Sequence, residues 1–92
     1  MIRLDKKLAD EFIRLTKKYY KTSNTDYLDE RYEIKKVLKE NTTWQTVDLL
    51  DNLAKYTQVS GKGTYDDIYR ALAIFGIIVE DKELLKWNNI HL

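Results

Sequence analysis

The chain has no cysteine and no proline. Without cysteine there is no disulfide framework, no thiolate nucleophile and no ordinary zinc finger, so packing alone must hold the fold and a reducing compartment is the expectation. Without proline, helices end only where glycine or polar turn residues end them. Glycine is scarce too: Gly61, Gly63 and Gly76 are the only ones. The single histidine, His91, has no second histidine with which to build a metal centre.

Long apolar runs are missing as well. The longest, Ala71 to Val79, falls far short of the roughly 20 residues that span a bilayer as a helix. The first residues are too often interrupted by charge to form the apolar stretch of a signal peptide. These features predict a cytoplasmic protein with no membrane partner.

What remains is a chain of 92 residues, the size of one domain, 43% apolar and 34% charged. The charged share exceeds the roughly 25% average, as suits a small domain with much surface. The net charge of +1 hides a split. Residues 1–39 hold 11 cations and 7 anions, whereas residues 40–92 hold 5 and 8. The halves can therefore attract one another across the fold.

Hydrophobic periodicity predicts a first helix from Leu4 to Lys21, with Leu4, Leu8, Phe12, Leu15 and Tyr19 on its apolar face. Arg3, Lys7, Arg14, Lys17 and Lys21 recur on another face as a basic stripe in which Asp10 takes one place. The polar run Thr22-Ser23-Asn24-Thr25 ends this helix, and a second runs from Asp26 to Glu40 with a stripe broken by Arg31 and Lys35. That irregularity predicts a peripheral helix. Thr42 and Gln45 have capping-box spacing and open a third helix, whose apolar arc includes Val47, Leu49, Leu50, Leu53, Ala54 and Tyr56. Asp48, Asp51, Asn52 and Lys55 form its polar face.

Ser60 to Gly63 ends the third helix, and Thr64 with Asp67 caps a fourth carrying Tyr65, Ile68, Tyr69, Leu72 and Phe75. Gly76 is read as its cap. Ile77, Ile78 and Val79 suit a short extended segment, and Asp81 caps a last helical piece reaching Trp87. The expected fold is all-α, one domain over residues 1–92 built as a bundle of four main helices with a short fifth helical segment. The alternative is α+β with a strand at 77–79.

No catalytic motif emerges. The acidic pairs Asp10-Glu11, Asp29-Glu30, Asp66-Asp67 and Glu80-Asp81 are helical neighbours that do not face one another. The loop Ser60-Gly61-Lys62-Gly63-Thr64 superficially matches a phosphate loop, but Tyr56 stands where its first glycine belongs and Gly63 where Ser or Thr belongs. A helix-turn-helix made of helices three and four would present Asp66 and Asp67 to phosphates, which is electrostatically wrong.

The surface suggests a partner instead. Seven tyrosines and two tryptophans are many for this length, and such side chains suit interfaces that are half dry and half wet. Arg3, Lys7, Arg14, Lys17, Lys18 and Lys21, together with Tyr20, Tyr27 and Tyr32, are the candidate partner-binding residues. The expectation is a non-enzymatic protein-binding module of the inhibitor, immunity or adaptor type, with an acidic protein partner and no cofactor or metal. The alternative is a nucleic-acid accessory protein that neutralises phosphates with the basic stripe. The wide apolar arcs of helices three and four also leave room for a second copy of the chain.

Overall fold

Asp5 ends one element and starts the next. Its extended backbone (φ −67°, ψ 119°) closes a strand, and its carboxylate accepts the Lys7 backbone N–H at 3.0 Å, capping the helix that follows. In this computed structural model, which describes residues 2–61 and 63–81, the order is β1 (Ile2–Asp5), α1 (Lys6–Thr22), α2 (Asp26–Asn41), α3 (Trp44–Ser60), α4 (Tyr65–Ile74) and β2 (Ile77–Glu80). Among the described residues the fold is mostly helical, with four helices as expected and one two-stranded parallel sheet. The predicted helical piece from Asp81 to Trp87 falls almost wholly on residues 82–92, outside the described residues.

The first helix does not begin at Leu4. Leu4 belongs to β1, where it pairs with Val79, and Arg3 pairs with Ile78. The helical spacing of Leu4 and Leu8 is real, but a partner strand far along the chain captures residues 2–5. Leu4 is buried against the same core that a helix would have offered it.

Each helix is bounded by local chemistry. Ser23 takes a left-handed conformation (φ 57°) and donates its N–H to the Tyr19 carbonyl at 2.7 Å, closing α1. Asn24 accepts the Asp26 N–H at 3.0 Å and so opens α2. The cap of α3 is Thr43 rather than Thr42: the Thr43 hydroxyl accepts the Thr46 N–H at 3.3 Å, while Thr42 is the extended residue that closes α2. Gly61 (φ 67°) ends α3, and Thr64 and Asp67 form the expected reciprocal capping box on α4. Helix α4 stops at Ile74, and Gly76 (φ 79°) then turns the chain into β2.

The helices alternate in direction. Lys35 of α2 reaches Asp48 and Asp51 of α3, one turn further along α2 than Arg31, whose partner is Asp51. Tyr69 of α4 meets Asp10 of α1, while Tyr65 lies beside Ile13 and Lys17. The chain thereby returns beside its first strand, where β2 runs parallel to β1 with Ile2 opposite Ile77. Leu4, Phe12, Leu38, Leu50, Leu72 and Ile77 fill the core from both strands and all four helices. Each such side chain contributes about 1.5–3 kcal/mol by leaving water.

Two faces differ from the sequence pattern. Tyr56 and Phe75, expected within apolar stripes, are 68% and 65% exposed. Neighbouring helices cover a narrower arc of α3 than its composition offers, and Phe75 lies just past the end of α4. Conversely Asp51, expected on the polar face of α3, is buried, as is Arg31. Helix α2 is therefore not simply peripheral, since the residues that break its stripe are the ones that dock it.

Candidate functional site

The basic stripe is split into two halves by its counter-ions. Arg3, carried by β1, pairs with Glu80 of β2 at 3.3 Å. Lys7 lies exposed in the first turn of α1. Arg14 forms a two-nitrogen pair with Glu11, which holds the Glu11 carboxyl below its usual range, chiefly through the hydrogen bond. Asp10, the acid within the stripe, is bonded at 2.8 Å to Lys6, and the Tyr69 hydroxyl donates to it, so it fastens α4 to α1. Lys6 is raised in turn by its hydrogen bond to Asp10.

Beyond Arg14 the compensation stops. Lys17, Lys18 and Lys21 are exposed, and among the described residues no carboxylate lies within ion-pair distance of any of them. Tyr20 stands on the same turns, 43% exposed, with its ring edge-on to Tyr19 at 5.8 Å. Across the short Ser23–Thr25 connection, Tyr27 is half-buried at the start of α2. One turn further, Tyr32 is 60% exposed and has the Lys36 ammonium 4.6 Å from its ring centre. The structure thus gathers Lys17, Lys18, Tyr20 and Lys21 at one end of α1, and leaves Arg3 on β1, beyond the other end of that helix.

Lys17 also borders a pocket of about 330 Å³ formed with Ile13, Thr57, Gln58, Tyr65 and the loop of Gly61 and Gly63. The basic stripe and the glycine loop, far apart in sequence, meet there. The loop is not a phosphate cradle, because the Thr64 N–H donates to the Asp67 carboxylate at 2.8 Å and a negative charge already occupies the start of α4. Burial first, then the charge of Asp10, pushes the Tyr65 phenol above its usual value against the opposing pull of Arg14, so it stays protonated as a donor at neutral pH.

Neither Arg14 nor Lys17 faces the acids of α3. Those acids are held by cations not expected at a functional site. Arg31 donates from Nε to the Thr16 hydroxyl at 2.7 Å and from a terminal nitrogen to Asp51, with its guanidinium 4.6 Å from the Phe12 ring centre. Lys35 and Lys55 reach the other oxygen of Asp51 at 3.0 and 3.4 Å. Burial works to raise the Asp51 carboxyl, but the Lys35 hydrogen bond and the charges of Arg31, Lys35 and Lys55 outweigh it and hold the group below its usual range. The sequence signals were the interruptions of the α2 stripe by Arg31 and Lys35, and the four-residue spacing of Asp51 and Lys55.

Among the described residues, no three acidic, histidine or cysteine side chains converge to hold a metal ion, and no helix is long and apolar enough to cross a membrane. Comparison of the chain with protein-family models, with characterised proteins and with solved structures finds no match.

Proposed function

We propose that the chain is a non-enzymatic, cytoplasmic protein-binding module of the inhibitor, immunity or adaptor type, and that its partner is an acidic protein. The docking surface is the end of α1 with Lys17, Lys18, Tyr20 and Lys21, extended by Tyr27 and Tyr32 of α2. One observation carries this reading: among the described residues these three lysines have no counter-ion, while Arg3 and Arg14 nearer the start of the chain are paired. Uncompensated cations beside an exposed aromatic ring attract an acidic surface at long range and give it an apolar anchor on contact.

The reading is tested by affinity capture from the source cell with the native chain and with a Lys17→Glu, Lys18→Glu, Lys21→Glu variant. A protein retained by the native chain and lost with the variant supports it. Capture of a nucleic acid through the same lysines, or capture that ignores the reversal, overturns it.

A further inference from the structure

The Arg31 and Asp51 pair lines a pocket of about 250 Å³ between α1, α2 and α3, together with the rings of Phe12 and Tyr32. Its charges do not balance. Arg31, Lys35 and Lys55 line it with one carboxylate, Asp51, among them. The nearest further acid, Asp48, is half-exposed and 3.9 Å from Lys35. Three cations brought together in a partly dry site repel one another, and one more negative charge relieves that repulsion. Arg31 spends Nε on Thr16 and one terminal nitrogen on Asp51, which leaves the donors of its other terminal nitrogen.

We propose that this pocket receives a single aspartate or glutamate side chain of the partner. Its carboxylate meets Lys35, Lys55 and the remaining Arg31 donors, and its methylene stem lies on the Tyr32 ring. At about 250 Å³ the pocket has room for one side chain. The inference rests on the reading of an acidic protein partner and adds the place where one of its carboxylates is recognised.

The test is a titration of the ¹⁵N-labelled full chain with an acetylated, amidated tetraglutamate peptide at low salt, followed by NMR. The expected result is shifted amides around Tyr32, Lys35 and Lys55, with roughly tenfold weaker binding in Lys55→Met, which removes a charged hydrogen-bond donor. Lys55 is half-exposed, so that variant retains the Arg31 and Asp51 pair. Tyr32→Ala, at an exposed position, weakens binding without changing the fold. Shifts confined to Lys17, Lys18 and Lys21, or affinity unchanged in Lys55→Met, overturn the pocket and leave the docking surface standing. Inorganic phosphate or a single-stranded oligonucleotide binding there as tightly as the peptide also overturns it. No peptide binding anywhere on the chain overturns both readings.

Discussion

Arg31 of α2 binds Thr16 of α1 and Asp51 of α3 at once, so one guanidinium ties three helices together. Asp51→Asn keeps the shape but leaves Arg31 and Lys35 without their buried counter-charge. The expected loss is about 3–5 kcal/mol, measured by urea unfolding. Arg31→Met combined with Asp51→Leu removes both charges and is expected to be more stable than Asp51→Asn alone. A double variant as unstable as the sum of the two single losses would show that the ion pair does not set the cost.

Acid acts on the same pair. Asp51 has a native value held below that of the unfolded chain, near 4, so the unfolded chain takes up the proton first as pH falls. The stabilisation is complete above about pH 5 and is lost on the way down through about pH 4 toward the lower native value. Glu11, held low by Arg14, acts in the same direction, more weakly because the pair is exposed. Urea midpoints are expected to be level between about pH 7 and 5 and to fall below that, with a shallower fall in the Arg31→Met, Asp51→Leu variant.

The three glycines are expected to differ in sensitivity. Gly61 (φ 67°) and Gly76 (φ 79°) have open space where a Cβ would stand, so alanine costs only the left-handed conformation, about 1–2 kcal/mol. At Gly63 (φ 116°) a Cβ would lie 2.9 Å from a methyl group of Thr57. Gly63→Ala is therefore expected to be the most destabilising of the three in thermal unfolding, and equal losses at all three sites would contradict this.

Two adjacent threonines make opposite contributions. Thr43→Ala removes the hydroxyl that caps α3 and is expected to cost about 1 kcal/mol. The Thr42 hydroxyl oxygen is buried without a hydrogen-bond partner, so Thr42→Val is expected to be neutral or stabilising. Urea unfolding of both variants checks the assignment of the cap, since a cap at Thr42 predicts the reverse order.

Local chemistry was readable in the sequence where it decides structure locally. Thr64 and Asp67 cap α4 as their spacing implies, and Gly76 stands where α4 gives way to β2. The same kind of reading shifted the α3 cap by one residue, because two consecutive threonines offer equivalent hydroxyls and only the backbone chooses between them. Local spacing places Leu4 in a helix because its partner, Val79, is remote in sequence and leaves no trace in a local window. The sequence shows Arg31 only as a break in the α2 stripe and Asp51 only as part of a polar face, because it records charge but not whether an opposite charge stands across a helix interface. Of the candidate surface, Lys17, Lys18, Tyr20 and Lys21 fall together on consecutive turns, whereas their separation from Arg3 follows from pairing in the sheet.

The register of Ile2 against Ile77 puts partners seventy-five positions apart in sequence. On the ribosome β1 emerges before β2 and has no partner strand to bind until β2 has followed it out. Neighbouring helices can meet while synthesis continues, through short connections that close quickly. The sheet cannot, and Leu4 waits in water for Val79. Closure of these two strands is thus the event that separates a nascent set of helices from the finished molecule, and a chain halted before Ile77 is expected to leave its first strand open to foreign strands.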